Sequence, residues 1–112
     1  MLARPDFLEL PVGDVAAARD FYARAFGWEM TGFGPSYACT MTGDVDLGLQ
    51  ADAAERSAAP LIVIRVDDVE AALAQVEGAG GSVTRTIFSF PGGRRFHFRD
   101  PDGNELAAYR PN

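Results

Sequence analysis

Two side chains in this sequence have the makings of an acid–base pair. Glu9 sits in the alternating run Phe7-Leu8-Glu9-Leu10-Pro11-Val12, and His97 in a second one, Arg94-Arg95-Phe96-His97-Phe98-Arg99. A carboxylate on the inner face of a strand must be paired or take up a proton. Glu9 therefore reads as a general base or ligand-orienting group, as a structural partner of Arg65 or Arg95, or as a rim residue in water. His97 is the one histidine, and an imidazole changes charge between about pH 5 and 8. It reads either as an acid/base or as a hydrogen-bonded sheet residue. Tyr109 can donate from its hydroxyl or stand as an aromatic wall. Arg65 can clamp a carboxylate or phosphate, or bridge to an acidic neighbour. Arg94 and Arg95 follow a Gly-Gly turn, where they guard an entrance or face solvent. Nucleophilic chemistry is poorly served. There is no lysine for a Schiff base, and Cys39 has no neighbouring histidine in the sequence.

The elements that must position these groups are legible from spacing. In the run from Asp6 to Val12, Leu8, Leu10 and Val12 share one face and Phe7, Glu9 and Pro11 the other. Asp14 is placed to cap a helix whose apolar stripe is Val15, Ala18, Phe21, Tyr22, Ala25 and Phe26, with Gly27 as the left-handed terminator. Shorter strand-like pieces follow at Glu29 to Thr31, Tyr37 to Thr42 and Val45 to Gln50. Residues 51–60, polar and alanine-rich, read as a linker or short helix. The plan then repeats. Leu61 to Val66 is a strand, Asp68 a cap, and Val69, Ala72, Leu73, Val76 and Ala79 a helical stripe ending at Gly80-Gly81. Laying Val12 on Val66 also superposes Asp14 on Asp68, Val15 on Val69, Ala18 on Ala72 and Gly27 on Gly81. Ser82 to Phe90 and Arg94 to Arg99 form a hairpin around Pro91-Gly92-Gly93. Asp100-Pro101-Asp102-Gly103-Asn104 then turns into a last strand, with Asp102 bonding its own backbone and Gly103 supplying the positive φ.

At 112 residues the chain has room for one domain, comprising a first module at 5–50, the 51–60 linker and a second module at 60–110. The expected fold is α+β, two tandem βαβββ modules forming a cupped mixed sheet with the helices outside. A net charge of −6 argues against nucleic acid as a partner. One cysteine suits a reducing compartment, and no apolar run is long enough for a signal or a membrane span. A cytoplasmic protein is expected.

The duplicated module and the Asp-Pro-Asp-Gly-Asn turn before the final strand resemble the vicinal-oxygen-chelate superfamily, which includes glyoxalase I, bleomycin-resistance proteins and extradiol dioxygenases. Phe21-Tyr22 ahead of Phe26-Gly27-Trp28 is similar to that family's first helix and its exit. The resemblance implies metal ligands at four inward positions, which here hold Phe7, Leu61, Ala107 and, on the first module's last strand, Gly48 or Gln50. Phe, Leu, Gly and Ala offer no side-chain lone pair, so no metal and no other cofactor is expected. A displaced, oxygen-rich site would have to draw on Glu9, Asp46, Gln50, His97 and Glu105.

The leading expectation is a metal-independent small-molecule-binding protein of the glyoxalase/bleomycin-resistance type, with a ligand lined by Phe7, Trp28, Tyr37, Asp46, Gln50, Leu61, Arg65, Arg95, Ala107 and Tyr109. The alternatives are a metal-free lyase or isomerase using Glu9 and His97, and a divergent metal-dependent glyoxalase-type lyase. The resemblance also implies a homodimer, with Trp28 and Tyr37 walling either the cleft or the dimer interface.

Overall fold

A computed structural model describes residues 3–112. Its elements run β1 (Ala3–Pro11), α1 (Val15–Phe26), β2 (Thr31–Gly32), β3 (Tyr37–Cys39), β4 (Asp46–Gln50), β5 (Leu61–Val66), α2 (Val69–Gly78), β6 (Ser82–Phe90), β7 (Gly93–Arg99) and β8 (Glu105–Pro111). The βαβββ order occurs twice, giving an α+β fold of eight strands and two helices. The chain divides into two compact units. One is Phe7–Leu61, and the other joins residues 3–6 to 62–112. The 51–60 segment thus belongs to the first unit, where the Arg56 guanidinium donates to Val12 O at 3.0 Å.

In the Phe7–Leu61 unit the strand order is β2-β3-β4-β1, with β4 and β1 parallel and the remaining pairs antiparallel. Helix α1 begins because the Asp14 carboxylate accepts from Ala17 N at 3.2 Å. It ends because Gly27, at φ 71°, turns its N–H back to Ala23 O. Its inner side packs Val15 against Met30, Ala38 and Leu49, with Ala18 and Tyr22 alongside. The apolar stripe is narrower than its spacing predicts. Phe21 and Phe26 remain 56% and 64% exposed, because a single short helix on strands of two to five residues has no sheet beneath its outer edge. Strand β3 also stops early, at Cys39 rather than Thr42. The Asp46 carboxylate takes hydrogen bonds from Thr40 Oγ1 (2.7 Å), Thr42 N (2.8 Å), Thr42 Oγ1 (2.8 Å) and Gly43 N (3.0 Å), so these residues close a turn instead of a ladder.

In the other unit the order is β5-β8-β7-β6, with β5 and β8 parallel and the rest antiparallel. Helix α2, capped by Asp68 accepting from Ala71 N at 2.9 Å, lies on β6, β7 and β8. Val66, Val69, Ala72, Phe96, Phe98 and Ala108 form the core beneath it. The turn before β8 is built by Asp100, not Asp102. The Asp100 carboxylate accepts from Asp102 N, Asn104 N and Asn104 Nδ2 at 2.9–3.0 Å, while Gly103 takes φ 87°. Asp100 stands at the first position of the turn, from which a side chain can reach the N–H groups two and four residues on.

Candidate functional site

Strand register sets the second unit's site. On β5-β8-β7-β6 the residues that do not face α2 line up across the strands. Arg65 lies opposite Tyr109, Tyr109 opposite Arg95, and Arg95 opposite Phe88. In the next row Val63 lies opposite Ala107, Ala107 opposite His97, and His97 opposite Arg85. Directly opposed residues share a face. Five of the residues singled out in the sequence (Arg65, Arg95, His97, Ala107 and Tyr109) therefore lie together on one surface. Helix packing is what turns them this way, since Phe96 and Phe98 point under α2 and alternation sends Arg95 and His97 to the far side.

This surface is polar and occluded. His97 is 6% exposed, with Nδ1 3.7 Å from Glu105 Oε2 and Nε2 buried with no hydrogen-bond partner among the described residues. The Tyr109 hydroxyl donates to both oxygens of the buried Asp6 carboxylate, at 2.9 and 3.0 Å. Burial first, and then the Asp6 carboxylate, pushes the Tyr109 pKa up to about 12. The Arg85 guanidinium lies 3.6 Å over the Phe88 ring, and that of Arg95 is 5.2 Å from the rings of both Phe88 and Phe90. Asp6, Arg85 and Phe88 were not legible as site residues. Asp6 meets Tyr109 103 positions along the chain, and no local pattern marks such a pair.

Tyr109→Phe should cost roughly 1.5–3 kcal/mol, since it leaves a buried acceptor without its donor. The change is readable as a lower urea midpoint at constant slope, and an unchanged midpoint would show that the hydroxyl is dispensable.

In the Phe7–Leu61 unit the face turned from α1 carries the other candidates. Glu9, 3% exposed, lies across from Gly48, and Gly48 across from Cys39. Gln50 lies between Pro11 and Tyr37, and its Oε1 accepts from Asp52 N at 3.0 Å. Burial, and then the Asp46 charge, raises the pKa of the Cys39 thiol, which makes it a poor nucleophile. Asp46 is committed to its turn. Burial works to raise its pKa, but the hydrogen bonds from Thr42, Thr40 and Gly43 together hold it below the usual carboxylate range. Trp28 stacks on Tyr22 at 5.2 Å between centroids and lines an open groove of about 580 Å³ with Met41 and Val45. Arg94, exposed, pairs with Glu70 on α2 at 2.6 Å.

The four positions at which the family resemblance implies ligands do not fit a metal. Leu61 and Ala107 are buried at 1% and 0% exposure. Gly48 has no side chain to offer, and the tips of Phe7 and Tyr37 lie over it, with Phe7 Cζ 2.8 Å from where a Cβ would stand. Among the described residues no three His, Cys, Asp or Glu side chains converge.

The pKa of His97 is lowered, because burial and then the Arg95 and Arg85 charges disfavour imidazolium; Glu105 opposes them. The unfolded chain therefore takes up a proton on this ring before the folded protein does. This contribution to stability is complete above about pH 6.5 and is lost as pH falls from there toward the folded value. Asp46 and Asp100, whose pKa values are also lowered, lose theirs only below about pH 4. Urea midpoints should decline between about pH 7 and 5 in the wild type and less steeply in His97→Gln. Parallel profiles would contradict the assignment.

Residues 4–108 match the Glyoxalase/Bleomycin resistance protein/Dioxygenase superfamily, and the chain belongs to it. Solved structures agree at the level of the fold. The NAD-dependent benzaldehyde dehydrogenase from Legionella pneumophila is similar with TM-score 0.79 and 19% identity, over 96% of this chain and 100% of that one. The methylmalonyl-CoA epimerase from Mycobacterium tuberculosis is similar with TM-score 0.75 and 16% identity, over 96% and 87%. A glyoxalase/bleomycin resistance protein/dioxygenase superfamily member from Vibrio splendidus 12B01 gives 0.73 and 19%, over 97% and 99%. No curated protein matches the chain in sequence. Among the described residues no helix is long and apolar enough to cross a membrane.

Proposed function

We propose that this protein binds a small organic molecule on the polar face of β5-β8-β7-β6, as a metal-independent member of its superfamily. The observation that carries the reading is the cross-strand row Arg65–Tyr109–Arg95, beside His97 and Ala107, on the side away from the α2 core. Burying guanidinium, imidazole and phenol groups on one face costs free energy that a purely structural sheet avoids with apolar residues. A few convergent polar groups among aromatic rings are also what small-ligand sites contain.

The groups on this face narrow the ligand. Arg65, Arg85 and Arg95 share it with the Asp6 and Glu105 carboxylates, so both signs of charge are present. The rings of Phe88, Phe90 and Tyr109 favour an aromatic compound, and Arg65 can pair with a carboxylate on it. Thermal-shift screening of aromatic carboxylic acids beside cationic bleomycin-type drugs tests this directly. The acids should raise Tm, and should do so equally after chelation, because the side chains of Phe7, Gly48, Leu61 and Ala107 carry no ligating atom. Silence across both sets defeats the reading.

A second reading, proton transfer beside a carbonyl, is favoured by the burial of both Glu9 and His97. Deuterium exchange into candidate ketones that is lost in both Glu9→Gln and His97→Gln would support it. The binding form is taken to be a homodimer. The exposed Phe26, Met41 and Val45, apolar surface that association would cover, support this, and light scattering tests it.

A further inference from the structure

Most of the chain's charge imbalance sits in one unit. Phe7–Leu61 holds eight Asp and Glu side chains against three Arg, a net −5 out of the −6 of the whole chain. Two of those arginines are turned to the backbone, Arg19 donating to Met30 O and Arg56 to Val12 O, and the third, Arg24, pairs with Asp20. None of them lines the groove beside Trp28. The one charged side chain that does, among the described residues, is Glu29. It is exposed, and no ion pair or hydrogen bond among those residues engages its carboxylate.

The groove, about 580 Å³, is of the size that holds a small organic ion. It lies on the α1 side of β4. Leu47, one of its walls, packs against the core under α1, while Gly48 and Glu9 turn to the opposite face. The groove is therefore separate from the inward positions of Phe7 and Gly48. Its main wall is fixed in advance, because the Trp28 indole stacks on Tyr22 at 13° between planes and has Phe26 5.4 Å away. Little ordering is left for a ligand to impose. Met41 and Val45, 66% and 55% exposed, extend the apolar lining. The hydroxyls of Thr40 and Thr42, which also line it, both donate to Asp46.

We propose that this groove binds a quaternary ammonium compound of about the size of choline, independently of the site on β5-β8-β7-β6. The negative unit and Glu29 draw a cation, and the face of an indole attracts it further. A primary ammonium would bring three N–H donors, and the lining has one charged acceptor to receive them. A trimethylammonium head has no N–H to satisfy. Its methyl groups pack on Trp28, Met41 and Val45 while its charge faces Glu29.

The single tryptophan reports on the site through its indole N–H signal in ¹⁵N-labelled full-length protein, with no assignment needed. Choline should shift that signal saturably, with a Kd of about 1–10 mM. Two further compounds separate the contributions. 3,3-Dimethyl-1-butanol has choline's shape without its charge, and ethanolamine has the charge without the methyl groups. Each should bind at least about fivefold more weakly than choline. Glu29→Gln should weaken choline about threefold and leave the alcohol as it was. Trp28→Leu, followed through the line width of the choline methyl signal, should abolish binding. Should that variant fail to fold, the titration of Glu29→Gln, a change at an exposed side chain, decides. No shift at about 50 mM choline, equal binding of choline and the alcohol, or an unchanged choline affinity in Glu29→Gln overturns the proposal.

Discussion

Gly93→Ala is expected to destabilise the protein by about 3 kcal/mol or more, a large share of a domain's total stability. Gly93 opens β7 at φ 152°, a conformation that L side chains rarely adopt. It pairs with Phe90 on one side and Pro111 on the other. An added Cβ would lie 2.9 Å from Pro111 Cα and 3.0 Å from the Arg110 carbonyl carbon, closer still to that carbonyl's oxygen. These are backbone atoms of β8, and no rotamer change can move them. Relief requires β7 to part from β8, the pairing that sets Arg95 against Tyr109 and His97 against Ala107. Stability and ligand binding should therefore fall together. Gly48 provides the internal comparison. There an added Cβ meets the tips of Phe7 and Tyr37, which can rotate aside, so Gly48→Ala should cost distinctly less. Urea titrations of both variants decide the matter, and a Gly93→Ala protein within 1 kcal/mol of wild type would mean that the β7–β8 contact is slack.

Phe96→Ala should cost about 3–5 kcal/mol. Its ring is fully buried, at 0% exposure, against Val66, Val69, Ala72, Phe98 and Ala108. Truncation removes apolar burial and leaves a void under α2 that strands tied into a four-stranded sheet cannot close. Against a total stability of roughly 5–15 kcal/mol, this is a large fraction. The loss should appear as a lower midpoint with nearly the same denaturant slope. A cost below 1 kcal/mol would show that the core under α2 collapses readily around the gap. The prediction bears on function because Phe96 stands between Arg95 and His97 on β7. Its packing under α2 is what turns those two polar side chains to the opposite face.

Local signals carried most of the architecture. Asp14 and Asp68 cap their helices as their spacing predicts, because a capping carboxylate needs only the N–H three residues ahead. The βαβββ repeat is legible because each module writes the same alternation and the same helical stripe. The shared face of the candidate site was legible only by parity. Arg65, Arg95, His97, Ala107 and Tyr109 fall on one face, as alternation along β5, β7 and β8 requires. Departures arise where a side chain competes with the backbone ladder, as Asp46 does in ending β3 early. They also arise where burial depends on what lies beneath, as for Phe21 and Phe26.

The sequence by itself determined the elements, their caps and turns, and the absence of ligating atoms at Phe7, Leu61 and Ala107, since these depend on residue identity and on neighbours a few positions away. Only the tertiary structure decided that Tyr109 serves Asp6, that Phe88 lies beside His97 under Arg85, and that Nε2 is left without a partner among the described residues. Those relations depend on strand register and on the two register shifts of β6 on either side of Arg85, and a slip of a single residue in a regular strand would turn its side chains to the other face.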